Sequence, residues 1–110
     1  CMITVEVYRN ADGRIRGFRS TGHAGYGEYG ADIACAAVSA ITQTTVIGLM
    51  NHLELPVAVK QASGLLECTL AEDSPGKGEQ AQALFETMVL GLSEVKRQYP
   101  KQVRLRNVRT

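Results

Sequence analysis

Two side chains able to do covalent chemistry flank a run of glycines. His23 opens the stretch HAGYGEYGADIAC and Cys35 closes it, twelve residues later. A thiolate is a strong nucleophile, and an imidazole can take the thiol proton and later return it to a leaving amine. Amides left free at a helix start, together with those of nearby glycines, can hold the oxyanion that forms in between. Acyl transfer is therefore within reach of this pair. The middle of the same stretch, GYGEYG, also fits G-x-G-x-x-G, the pattern of a loop that cradles a dinucleotide phosphate.

The phosphate reading needs a buried parallel strand before the loop and a βαβ unit around it. The strand that precedes, RIRGFRST, carries three arginines. Gly30 falls ahead of the helix rather than within it. Glu54, the first acidic residue after the helix, lies too close to Pro56 to end a strand. No Gly-Lys-Ser/Thr follows the glycines, which removes a Walker A loop as well. The glycines are better read as a pliable surface segment.

For Cys35, two readings stay open at the level of residue types. Near the third position of a helix, the free amides and the macrodipole favour the thiolate, whereas the Asp32 carboxylate opposes a second negative charge. A cysteine between Ala34 and Ala36 can equally be a small buried residue, and a loop histidine can be idle. Cys68 alternates with Leu66 and Leu70 and is assigned to the core. His52, beside Asn51 at the helix end, fits a C-terminal cap favoured by the dipole. His23, Cys35, His52 and Cys68 lack metal-ligand spacing, so neither a metal nor a cofactor is called for.

The elements that must position these residues follow from periodicity. ITVEVYR at 3–9 alternates as a strand, Asn10-Ala11-Asp12-Gly13 turns, and 14–20 alternates again, which makes a hairpin. Asp32 is expected to cap a helix running from Ile33 to about Leu53. Its apolar stripe is expected at Ile33, Ala37, Ala40, Ile41, Thr44, Ile47 and Gly48, with Cys35, Ser39, Thr42, Gln43 and Val46 on a more polar side. After Leu55-Pro56, segments 57–60 and 65–71 form a second hairpin about Ala62-Ser63-Gly64. Ser74-Pro75-Gly76-Lys77-Gly78 is a loop. A second helix over 79–98 carries one amphipathic face, Ala81, Leu84, Phe85, Met88, Val89, Leu92 and Val95. A strand at 102–108 follows Pro100. The fold class is α+β in the order ββαββαβ, a mainly antiparallel sheet with two helices packed on one face.

Size and composition agree with one domain over 1–110, 45% hydrophobic and 21% charged. The formal charge of +1 gives no general pull toward nucleic acid. No apolar run of 18 residues and no signal peptide stand out, and Cys35 and Cys68 suit neither a disulfide framework nor a zinc ribbon, so a reducing cytoplasm is expected. Cys1 precedes Met2, and Met2 is taken as the native start. The C-terminal segment holds Lys96, Arg97, Lys101, Arg104, Arg106 and Arg109 against Glu94. It suits either an RNA-facing edge on a non-catalytic binding module or, preferably, a charged edge strand that resists aggregation.

Gly22-His23-Ala24, Gly30-Ala31-Asp32-Ile33 and Cys35-Ala36-Ala37-Val38-Ser39-Ala40 together resemble the ribosomal-processing cysteine protease family, Prp, and Ile41-Thr42-Gln43-Thr44 continues the likeness. The resemblance spans essentially the whole chain. It implies a thiol endopeptidase with a Cys–His dyad, here His23 and Cys35, that needs no cofactor. The implied substrate is the N-terminal extension of large-subunit ribosomal protein twenty-seven, cut after a hydrophobic and aromatic stretch to support ribosome assembly. The family is described as homodimeric, with a loop that orders on substrate. Gly22, Tyr26, Tyr29, Gly30, Asp32 and Ser39 are the supporting or substrate-binding candidates: Asp32 beside His23, Ser39 one turn after Cys35, the tyrosines against a hydrophobic peptide. No membrane partner and no direct RNA contact are expected.

Overall fold

The computed structural model describes residues 2–22, 31–71 and 76–110, with 31 and 32 as backbone only. Strand β1 (Ile3–Arg9) and β2 (Ile15–Thr21) precede helix α1 (Ala31–Ile47), which ends in one π turn (Gly48–His52). Strands β3 (Val57–Ala62) and β4 (Leu65–Leu70), helix α2 (Gly78–Gln98) and β5 (Val103–Arg109) complete the order. One five-stranded sheet runs β3-β4-β2-β1-β5. Every pairing is antiparallel except β1 with β5, which is parallel. The expected α+β class and element order are found.

Alternation in β1 buries Ile3, Val5 and Val7 on the helix side and leaves Thr4, Glu6 and Tyr8 facing outward. The β1–β2 turn is built by Asn10, whose Oδ1 accepts from the amides of Asp12 (2.9 Å) and Arg14 (3.1 Å). Register shifts at Tyr8/Arg9, and the backbone of Ile15 there is paired by a side chain. Gln82 of α2 accepts from the Ile15 amide and donates to its carbonyl, both at 2.8 Å. Arg9 ties the same corner together. Its guanidinium forks onto Glu86 at 2.9 and 3.0 Å and donates to Asn107 (3.0 Å) and the Gly13 carbonyl (2.8 Å). That fork holds the Glu86 carboxyl below its ordinary range.

Helix α2 buries Ala81, Phe85, Met88 and Leu92, as its periodicity predicts. Helix α1 does not follow expectation. Its buried positions are Ala34, Val38, Thr42, Thr45 and Val46, continuing to Leu49, whereas Ile33 and Ile47 are more than half exposed. The buried threonines explain the misplaced stripe. Thr42 Oγ1 donates to the Val38 carbonyl at 2.8 Å and Thr45 Oγ1 to that of Ile41 at 2.9 Å. A threonine whose hydroxyl is satisfied by its own helix costs little to bury. Ile41 and Gly48, expected on the core stripe, turn toward α2 and meet Gly91 and Leu84.

The helix also starts earlier than expected. Ala31 is its first residue, so Asp32 occupies the first turn instead of the cap. Alanine is the best helix former, and an acidic residue in the first turn suits the macrodipole. At the other end the Leu53 amide bonds to the Gly48 carbonyl at 3.0 Å, five residues back, and His52 is exposed beside it.

By composition alone Ile33–His52 is long and apolar enough to cross a membrane, with mean hydropathy 1.7 over an 18-residue window. That corrects the expectation that no such segment exists. Within the fold this segment is the central helix, its Ala34–Val38–Leu49 side built into the core under the sheet. Of the expected loop before α2, Ser74 and Pro75 lie outside the described residues.

Outward from the helices, the sheet carries a row of alternating charge across all five strands. Arg106, Glu6, Arg19, Glu67 and Lys60 are direct neighbours in register, with Arg19 and Glu67 3.7 Å apart. Arg106 on edge strand β5 therefore faces a carboxylate, which fits the charged-edge reading of the C-terminal segment.

Candidate active site

Cys35 lies one turn into α1, fifth from its start rather than third. Its own amide is thus inside the helix ladder, and the free amides belong to the turn before it. Helical side chains lean toward the N-terminus, which carries a thiol at this position back over that first turn. Cys35 is partly exposed and lines a cleft of about 250 Å³.

The cleft has a sheet floor and a helix wall. Ile3, Ser20, Leu66 and Gln61 contribute the floor, with Gly22 and Gly64 at its end. Ser20, Leu66 and Gln61 are consecutive partners across β2, β4 and β3. The wall is Cys35, Ser39, Thr42 and Gln43. Ser39, one turn on from Cys35, accepts from Gln43 Nε2 at 2.7 Å, so the polar side of the wall is held by an i, i+4 pair.

Gly22 is required where it stands. Its φ is +122°, and a Cβ there would fall on the Met2 carbonyl oxygen. Its amide donates to the Gly64 carbonyl at 3.0 Å. This pins the end of β2 to the tip of the β3–β4 hairpin and fixes where the chain leaves the sheet. A side chain would force the two apart.

Of the sequence candidates, the structure brings Gly22, Cys35 and Ser39 together at one cleft. Asp32 stands in the same first turn of α1. His23, Tyr26, Tyr29, Gly30 and the glycine-rich loop lie outside the described residues. Sequence reasoning missed Gln61, Leu66 and the hairpin tip, because they reach the site only through strand pairing. Gln43 was placed on the correct polar side but given no role; its spacing from Ser39 was the available signal.

Cys68 is the contrasting thiol. It is fully buried between its partners Phe18 and Val59, and burial pushes its pKa up to about 11. His52 is remote from the cleft, at the far end of the helix. No group of three or more His, Cys, Asp or Glu suited to a metal occurs among the described residues. A second cleft, about 260 Å³, opens beside Arg14, Arg16 and Lys77. Arg14 pairs with Glu79 at 3.1 Å and Lys77 donates to the Leu53 carbonyl at 2.7 Å. Among the described residues its lining holds no thiol or hydroxyl side chain.

Comparison with known proteins bears directly on the Cys35 cleft. The family model described as cysteine protease Prp matches residues 2–104. A curated ribosomal processing cysteine protease Prp from Staphylococcus aureus strain Mu50 is 32% identical over 107 residues, covering 94% of this chain and 97% of that protein. The crystal structure of an essential ribosomal processing protease Prp from S. aureus with a substrate peptide superposes with TM-score 0.85. It is 26% identical, covering 97% of this chain and all of that one. The same enzyme with a covalently linked product peptide gives TM-score 0.83 at 28% identity, with the same coverage. Matched over nearly its whole length, the chain belongs to the Prp cysteine proteases and is a cysteine peptidase.

Proposed function

We propose that Cys35 is the nucleophile and His23 the general base of an endopeptidase that removes the N-terminal extension of large-subunit ribosomal protein twenty-seven. The observation that carries the reading is the sharing of one cleft by Cys35 and Gly22. His23 follows Gly22 directly in the sequence.

In the proposed cycle His23 takes the Cys35 proton and the thiolate attacks the scissile carbonyl carbon. The amides of the first turn of α1 stabilise the resulting oxyanion. The C–N bond breaks, and the amine product leaves with the proton held by His23. Water then gives a proton to His23 and attacks the thioester, releasing the carboxylate product and the thiol. Asp32 orients His23, Ser39 and Gln43 shape the peptide-facing wall, and Gly22 holds the cleft end. Tyr26, Tyr29 and Gly30 complete the contacts with a hydrophobic substrate. The enzyme works as a cytoplasmic homodimer.

Incubating the extended ribosomal protein with wild type and with Cys35→Ser, and weighing the products by mass spectrometry, tests the assignment. Wild type is expected to cut once and Cys35→Ser to lose at least about 10³-fold in rate. Equal cleavage by both removes Cys35 as nucleophile. His23→Ala is expected to be folded and inactive, and turnover by it at neutral pH would remove the general base.

A further inference from the structure

Charge is segregated along this chain. Of its twelve Lys and Arg and eleven Asp and Glu, residues 95–110 hold six cations and no carboxylate, which leaves six cations and eleven carboxylates in residues 1–94. Such asymmetry lets one part of a nearly neutral molecule attract a polyanion.

The fold gathers this segment at one corner. Helix α2 ends at Gln98, a turn follows, and β5 begins at Val103 as the edge strand beyond β1. At 100° per residue, Lys96 falls about 40° round α2 from Gln82 and about 80° from Glu86. Glu86 holds Arg9, which also donates to Asn107 of β5, so this side of α2 overlooks β5. Lys101 is exposed in the turn. Arg104 lies in register with Thr4, on the sheet face turned away from the helices, with Arg106 two residues on beside Glu6. Among the described residues, Arg97 is held by Glu94 at 2.7 Å, whereas Lys96, Lys101 and Arg104 are exposed and have no ion-pair partner.

This corner adjoins the Cys35 cleft. Gln102 accepts from the amide of Ile3 at 2.8 Å, and Val103 pairs with Ile3 in register. Ile3 belongs to the cleft floor, and Lys101 and Arg104 bracket the two residues that hold it.

We propose that Lys96, Lys101 and Arg104 form a docking surface for RNA, held through its phosphates beside the cleft. Edge protection accounts for Arg106, which faces Glu6, but not for Lys96 on the helix or Lys101 in the turn. Separate exposed cations along a turn and an edge suit a polyelectrolyte, which releases counterions at each contact. None of the exposed large hydrophobic side chains among the described residues lies within 95–110. The corner thus lacks the apolar centre of a protein interface and the apolar face of a membrane anchor. RNA is chosen among polyanions because the proposed substrate is a ribosomal protein; the corner itself does not depend on that reading.

The test measures anisotropy of a fluorescein-labelled single-stranded RNA of about 12 nucleotides, titrated with the full chain between about 50 and 200 mM salt. Wild type is expected to bind with a log–log salt slope of about −2, the value for three phosphate contacts on a single strand. Combining Lys96→Gln, Lys101→Gln and Arg104→Gln is expected to weaken binding at least about tenfold at low salt and to flatten the slope. Lys60→Gln, on the opposite edge strand, is expected to leave both unchanged. Cleavage of a synthetic peptide spanning the proposed cleavage site should be unaltered in all of these variants. Circular dichroism melts check folding, and Lys101→Gln alone, in an exposed turn, keeps the test open if the triple variant unfolds; it should reduce the slope by about 0.7. Wild-type affinity and slope in the folded triple variant, or in Lys101→Gln, overturn the docking surface. So does tighter binding of polyglutamate than of RNA. Wild type that cuts the peptide but does not bind RNA overturns this proposal alone, and wild type that binds RNA but does not cut overturns only the protease reading.

Discussion

Cys35 and Cys68 are the same chemical group in two settings, and the settings decide what each can do. Cys68 faces the core from the middle of the sheet, flanked in register by Phe18 and Val59, with burial holding it as a neutral thiol. Cys35 projects from a helix flank into a cleft, partly open to solvent. Alternation along a strand delivers every second residue into the core. A helix presents a flank that can graze the core and still face solvent. Here that flank carries the partly exposed thiol.

The sharpest way to break this contrast is to open the sheet beside Cys68. A Cβ on Gly17 would collide with the Cys68 carbonyl oxygen and stand 2.7 Å from Thr69 Cγ2. Gly17→Ala is therefore expected to cost about 2 kcal/mol or more, as backbone collisions in a core do. In wild type, iodoacetamide should modify Cys35 at least about 100-fold faster than Cys68, because the buried thiol reacts only through opening. Peptide mapping after alkylation should show Gly17→Ala closing much of that gap. Equal labelling of both thiols in wild type would dissolve the distinction altogether.

A smaller effect is expected from Cys68→Ser. It puts an unpartnered hydroxyl in the core and should lower stability by about 1–3 kcal/mol in urea titrations. Turnover per folded molecule should be unchanged, the reverse of Cys35→Ser. The smallest effect is a pH dependence. Because folding raises the Cys68 pKa from 9.0 to about 11, its contribution is fully present below pH 9 and lost as pH rises through about 11. Chemical denaturation at pH 8 and pH 10.5 should show that loss in wild type and not in Cys68→Ala.

The difference between the thiols was legible in sequence because each rested on a local signal. Cys68 alternates with Leu66 and Leu70, and Cys35 follows a specific motif on a helix. The strands and α2 were legible for the same reason. The orientation of α1 was not. Its residues are small or apolar nearly all round, so local pattern could not tell the sheet from α2, and threonines that bond their own backbone carry no outward sign of burial. The parallel β1–β5 pair and the cleft floor depend on contacts far apart in the chain. Periodicity identified β3 as a strand, but nothing in VAVKQA shows that the helix layer ends before it. That β3 is uncovered on this side shows only in Val59 and Cys68, neighbours in register with opposite burial.

The parallel pairing of β1 with β5 sets a timetable for the site. Ile3, part of the cleft floor, lies beside Val103, and its amide donates to the Gln102 carbonyl at 2.8 Å. The motif that bears Cys35 is made first, and its floor lacks this neighbour until the chain has grown past residue 103. Joining segments so distant in sequence is entropically slow, and it must precede the rewards of packing. The surface beneath Cys35 is thus finished only when the chain has grown from residue 35 to residue 103.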